Sequence, residues 1–226
     1  MKRKIMVIGL IILMISGCTI NPEDEEPIIT DALKFKEEYE AHNDKINENN
    51  GNKYTILDIP EENPMVYATF EQVMNILDGS GIIYFGFETC PWCRTAVPVI
   101  LEAAQDLNIN LVYYFNALSL RDVKALDDKG NIITEQEGDP SYYQLLDKIG
   151  DVAETYDGLN DDTIKRLYFP TVVVVKDGEI IFYHTSTVES QTDPYQPLTQ
   201  QQHDELLQLY KDAFAQVETA CRIDKC

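Results

Sequence analysis

Glu88-Thr89-Cys90-Pro91-Trp92-Cys93-Arg94-Thr95-Ala96-Val97-Pro98 sets two cysteines three positions apart with only proline and tryptophan between them. Such a pair admits three readings: a redox couple, half of a metal site, or a structural crosslink. Proline is favoured at the first helical position, so Pro91 there makes Cys90 the N-cap of a helix running away from the motif. A sulfur at that point faces unpaired backbone N–H groups and the positive end of the helix dipole, both of which favour thiolate over thiol. Cys90 is therefore the expected nucleophile. Cys93, one turn along the same face, is the expected resolving thiol, which attacks a mixed disulfide formed at Cys90. Trp92, the only tryptophan in the chain, presents an indole at the rim, either as a substrate contact or as a surface cover.

Outward from the motif, the elements arrange themselves around it. The run GIIYFGFE at 81–88 reads as a strand buried on both faces, and INLVYYFNA at 109–117 as a second. The helix between them buries Ala96, Val97, Ile100, Leu101, Ala104 and Leu107. This is a βαβ unit, which requires a parallel sheet. Upstream, Thr69 and Gln72 have the spacing of a capping box, and Phe70, Val73, Met74 and Leu77 follow on one helical face. Downstream, Thr171–Lys176 and Glu179–His184 form two strands joined by Asp177-Gly178, a two-residue hairpin signal. Thr199 with Gln202 opens the last helix, whose apolar stripe is Leu206, Tyr210, Phe214 and Val217.

The ends of the chain set the compartment. Lys2, Arg3 and Lys4 precede an apolar run from Ile5 to Ile15, shorter than the roughly 20 residues that span a bilayer, and small residues lead to Cys18. Residues 1–17 are expected to be a signal peptide. Ile15-Ser16-Gly17-Cys18 resembles a bacterial lipobox, which implies a thioether-linked diacylglycerol on Cys18 and stable attachment to the membrane. Outside the cytoplasm disulfides persist and thiol–disulfide enzymes find substrates. The formal charge is −21, and three units more negative without Lys2, Arg3 and Lys4, which argues against nucleic-acid binding and against charge-driven adhesion to anionic membrane. Residues 18–60 read as an anchored tether with a short peripheral helix around Ala32–Tyr39, and 61–226 as the folded domain.

The order β-α-β, intervening segment, β-β-α, with Cys90-Pro91-Trp92-Cys93 at the first strand-to-helix junction and Phe169-Pro170-Thr171 opening the later hairpin, resembles the thioredoxin superfamily. With the lipobox, it looks like the membrane-anchored thioredoxin-like lipoproteins of Gram-positive bacteria. The resemblance implies an α/β fold with a central mixed sheet flanked by helices. It also implies a cis Pro170 beside the cysteines, leaving the backbone of Phe169 free to pair with an extended substrate. Many thioredoxins carry a buried acid six residues before the first cysteine; Tyr84 stands there in this chain. Glu88 is a substitute acting through water or else a surface charge. Glu88 would raise the cysteine pKa and Arg94 would lower it. Residues 119–166 read as a helical insertion, with one short helix through Leu120, Val123 and Leu126, a turn at Asp128–Asn131, and another helix through Tyr142, Leu145, Leu146 and Ile149.

Cys221 continues the stripe of the last helix and Cys226 ends the chain. Five residues of unbroken helix rise about 7.5 Å, too far for a disulfide, so pairing the two as a clasp requires the helix to end between them. The metal reading joins a good half-site to a poor one, with His184 as a spare ligand, and no metal is expected. A purely structural Cys90–Cys93 ring removes little chain entropy. The leading expectation is a lipid-anchored thiol–disulfide oxidoreductase that needs no cofactor beyond the redox-active Cys90–Cys93 disulfide. Its partners would be cysteine-containing exported proteins and a membrane electron donor or acceptor. The alternative is a thioredoxin-like module that binds a peptide or protein with little redox turnover.

Overall fold

A computed structural model describes residues 30–217. In chain order the elements are α1 (Asp31–Glu40), β1 (Met65–Tyr67), α2 (Phe70–Leu77), β2 (Gly81–Phe85), α3 (Pro91–Asp106), β3 (Val112–Phe115), β4 (Val123–Leu126), β5 (Ile132–Gln136), α4 (Pro140–Ile149), β6 (Glu154–Thr155), β7 (Lys165–Arg166), β8 (Thr171–Lys176), β9 (Glu179–Thr185) and α5 (Gln200–Phe214). The central sheet has the order β1-β3-β2-β8-β9. β1 and β2 run parallel to β3, while β8 is antiparallel to both β2 and β9. This is the thioredoxin-like arrangement, a mixed sheet flanked by helices.

Side-chain alternation along the strands splits the core into two layers. Ile82 and Tyr84 of β2, Val112 and Tyr114 of β3, and Val172 and Val174 of β8 face the layer built with α1, α3 and α5. Ile83, Phe85, Val173 and Val175 face the other, built with α2 and α4. The strands carry apolar residues at consecutive positions because both of their faces are covered. Both capping boxes form, Thr69 with Gln72 at α2 and Thr199 with Gln202 at α5. In the β8–β9 turn Asp177 and Gly178 both have positive φ, 52° and 81°. A Cβ on Gly178 would come within 3.2 Å of the Asp78 carbonyl oxygen, so close approach as well as φ favours glycine.

Three local expectations differ from the structure. The helix expected through Leu120, Val123 and Leu126 is instead β4, paired antiparallel with β5 around the Asp127–Asn131 turn. The insertion is thus mixed rather than helical: a hairpin, α4, and the short β6–β7 pair. β1, a three-residue edge strand, gave no sequence signal. Helix α1 is not peripheral, because Phe35 and Tyr39 are wholly buried in the first layer. The Asn-rich stretch after it is held by its own amides. The Asn43 side chain donates to the Leu57 carbonyl at 2.7 Å and accepts the Leu57 N–H at 2.9 Å, and Asn47 donates to the Tyr195 hydroxyl at 2.8 Å. Among the described residues no helix is long and apolar enough to cross a membrane. Residues 1–17, Cys18, Cys221 and Cys226 lie outside the described residues.

Candidate active site

Where β2 ends and α3 begins, Cys90 occupies the N-cap with φ −79° and ψ 118°, and Pro91 takes the first helical turn. The Cys90 Sγ accepts the Cys93 backbone N–H at 3.3 Å, satisfying one of the orphan donors of the helix start. Both sulfurs are free thiols, Cys90 5 % exposed and Cys93 fully covered, so only Cys90 has an edge at the surface. The hydrogen bond from the Cys93 thiol, assisted against burial by the amides of Cys93 and Trp92 and by the charge of Arg121, holds Cys90 below the ordinary thiol value. Burial, and next the neighbouring Cys90, pushes the Cys93 thiol well up. One helix turn therefore separates a thiol whose ionisation is favoured from one whose ionisation is opposed.

The facing wall comes from the segment before β8. The Phe169–Pro170 peptide bond is cis. Cys90 Sγ donates to the Phe169 carbonyl at 3.7 Å, a weak sulfur contact that marks the two groups as neighbours. The Phe169 ring meets Phe87 edge-on at 5.4 Å and 89°. On its other side the Arg121 guanidinium stacks at 4.6 Å from the ring centroid. Trp92 is half-buried against the first core layer.

Behind the sulfurs, Tyr84 is wholly buried and its hydroxyl shares a 3.0 Å hydrogen bond with that of Tyr39. The Tyr84 ring stacks on Tyr114 at 5.6 Å. A hydrogen bond from Tyr84 draws the Cys93 thiol down, against the larger upward push of burial. A hydroxyl thus serves this pocket without a carboxylate.

Arg94 and Glu88 are placed differently from the tuning roles expected for them. The Arg94 side chain turns away from the cysteines and is fully buried, donating to Tyr39 O at 2.6 Å, to Thr55 O at 2.6 and 3.2 Å, to Glu88 O at 3.3 Å and to Asn43 Oδ1 at 2.8 Å. It pins the segment after α1 onto α3. Glu88 contributes its backbone carbonyl to Arg94, and among the described residues its carboxylate makes no hydrogen bond or ion pair. The cation that acts on Cys90 is Arg121, which sequence reading did not single out. It lies on the chain about thirty residues beyond the motif, in a segment whose only local signal was misread as helical. Tyr39 was likewise missed, because it belongs to a helix taken as peripheral. His184 is also turned to structure: its ring Nε2 pairs with the Thr187 carbonyl at 3.0 Å. Among the described residues no three His, Cys, Asp or Glu side chains converge as a metal site.

No family model matches the chain, and no curated protein matches it. Among solved structures it is similar to thioredoxin O1 from Arabidopsis thaliana in the oxidized state, at 14 % identity over 56 % of this chain and 88 % of that one, with a TM-score of 0.33. It is also similar to thioredoxin O2 from the same plant in the oxidized state, at 16 % identity over 66 % of this chain and 96 % of that one, with a TM-score of 0.34.

Proposed function

We propose that this chain is a thiol–disulfide oxidoreductase acting outside the cytoplasm on cysteines of exported proteins. The observation that carries the reading is the division of labour between Cys90 and Cys93: one sulfur at a helix N-cap with its thiol pKa lowered, the other one turn behind it and fully covered with its thiol pKa raised. In the reducing direction the Cys90 thiolate attacks a substrate disulfide, forming a mixed disulfide and expelling one substrate thiolate. Cys93 then attacks the Cys90 sulfur. Its proton goes to the second departing substrate sulfur, a Cys90–Cys93 disulfide forms, and the substrate has gained two electrons. Oxidation of a substrate dithiol runs the same steps backwards, and the potential of the partner that resets the pair chooses the direction. No cofactor beyond the two sulfurs enters either scheme.

Cys90→Ser should abolish turnover in a disulfide-reduction assay, whereas Cys93→Ser should accumulate a covalent complex with substrate that reductant releases. Intact partner binding with no turnover in the parent itself would leave a peptide-binding module in place of an enzyme. The N-terminal sequence supports export and a lipid on Cys18, with the chain on the outer face of the membrane beside a donor or acceptor of electrons. On that reading Cys18→Ala moves the protein from the membrane fraction to the soluble one, and its retention in the membrane would refute the anchor.

A further inference from the structure

We propose that Arg121 is a positioning residue that adds positive charge beside Cys90 and couples the segment between β3 and α4 to the reacting sulfur. The proposal rests on the thiol–disulfide reading and adds to it a residue outside the cysteine motif. Three features of Arg121 carry it.

The first is attachment to the facing wall. The guanidinium stacks at 4.6 Å on the Phe169 ring, and its Nη1 donates to the Leu167 carbonyl at 3.0 Å. It therefore grips both sides of the short stretch whose Phe169 carbonyl touches Cys90 Sγ. The second is an uncompensated charge. In a chain with 39 acidic and 18 basic residues, Arg121 has no carboxylate partner among the described residues, and its Nε is buried with no hydrogen-bond acceptor. The adjacent Asp122 carboxylate is engaged with Lys124 at 3.4 Å. The charge that acts most on Arg121 is another cation, Arg166, stacked at 4.1 Å on Tyr156. An unneutralised guanidinium in a half-buried, poorly screened position attracts whatever anion forms close by, and Cys90 is the group beside it that ionises. The third is the direction of Arg94, the arginine nearest in sequence, whose guanidinium points to backbone carbonyls, Asn43 and the Tyr54 ring and is not among the leading influences on Cys90, whereas Arg121 is.

The other groups that face Cys90 do not supply this charge. From α3 come the Cys93 thiol and the amides of Trp92 and Cys93; from β2, Tyr84; from the loop after α1, Tyr54, whose own titration is raised first by burial and only last by Cys90. Neither hydroxyl is positive. Arg121 is the cationic side chain that helps to hold Cys90 below the ordinary thiol value.

The test follows the ultraviolet absorbance of the Cys90 thiolate against pH in reduced Cys93→Ala protein, a readout that needs no substrate. Arg121→Gln should cut the thiolate fraction near neutral pH about twofold or more, the direction expected from removing a nearby positive charge. Arg121→Lys should restore most of it. A parent-like titration in Arg121→Gln, or equal shifts in the Gln and Lys variants, overturns the proposal, the second outcome because packing rather than charge would then explain the change. Arg121→Met, with an apolar side chain of similar reach, serves as the neutral variant if Gln prevents folding. A parent without turnover would sink the oxidoreductase reading while leaving this titration intact, and an unmoved titration in an active enzyme would sink only the role of Arg121.

Discussion

Cys90 and Cys93 share a helix turn yet have thiol pKa values displaced in opposite directions, and the causes are separable. Cys90 is an N-cap acceptor with donors aimed at its sulfur; Cys93 has apolar cover and the strongest reason to stay protonated. The consequence appears in stability as well as reactivity. In the reduced protein, the folded Cys90 pKa lies below 9.0, so between that pKa and 9.0 the unfolded chain binds more protons and stability rises with pH. Cys93 has a folded pKa above 9.0, so stability falls as pH climbs from 9.0 toward it. The oxidised protein has neither titration. The stability of the reduced form minus that of the oxidised form should therefore pass through a maximum near pH 9.0, read from denaturant midpoints of both forms across pH. A difference that falls steadily with pH below 9.0 would contradict the assignment of Cys90 as the acidic thiol.

Elements with a local cause were legible in the sequence; groups assembled from distant parts were not. The capping boxes at Thr69 and Thr199, the Asp177-Gly178 turn and Pro91 at the start of α3 each depend on neighbours within a few residues, and each forms as read. Leu120, Val123 and Leu126 fit helical spacing equally well, but pairing across the Asp127–Asn131 turn prevails and makes them a 3₁₀ turn and a strand. The motif placed Cys90 at the cap and Cys93 in the first turn of α3, whereas Arg94, four residues past the cap, meets partners at Tyr39, Asn43 and Thr55 that no local pattern connects to it. That geometry predicts that Arg94→Leu costs stability, about 2–4 kcal/mol from carbonyls left without donors, and leaves the pH profile of Cys90 alkylation where it was. Chemical denaturation and iodoacetamide rates separate the two effects. A stable variant with a raised Cys90 profile would return Arg94 to the tuning role its position beside the motif first suggested.

At the scale of the molecule, the question is where the folding unit begins. Composition divides the chain near residue 60, with an acidic, Asn-rich stretch before it and the segment that carries the cysteine motif after it. Packing does not respect that division. Phe35 lies 5.0 Å from the Tyr114 ring, and Tyr39 covers Tyr84 and bonds its hydroxyl. The end of α1 and the loop beyond it supply Arg94 with most of its acceptors, and Asn47 and Asn50 both bond the Tyr195 hydroxyl. Burial of Phe35 and Tyr39 alone contributes roughly 1.5–3 kcal/mol each, comparable with a large share of the net stability of a small domain. A chain that starts at residue 61 would expose the Tyr84–Tyr114 face and leave the Arg94 guanidinium buried without its partners. It is predicted to unfold or aggregate, while a chain that starts at residue 30 keeps the thermal midpoint of the whole. Equal midpoints for the two truncations, with Cys90 equally reactive in both, would show that α1 and its loop are an attachment after all. Loss of folding in the shorter chain alone would make the stretch before residue 60 a structural wall behind Cys90 and Cys93.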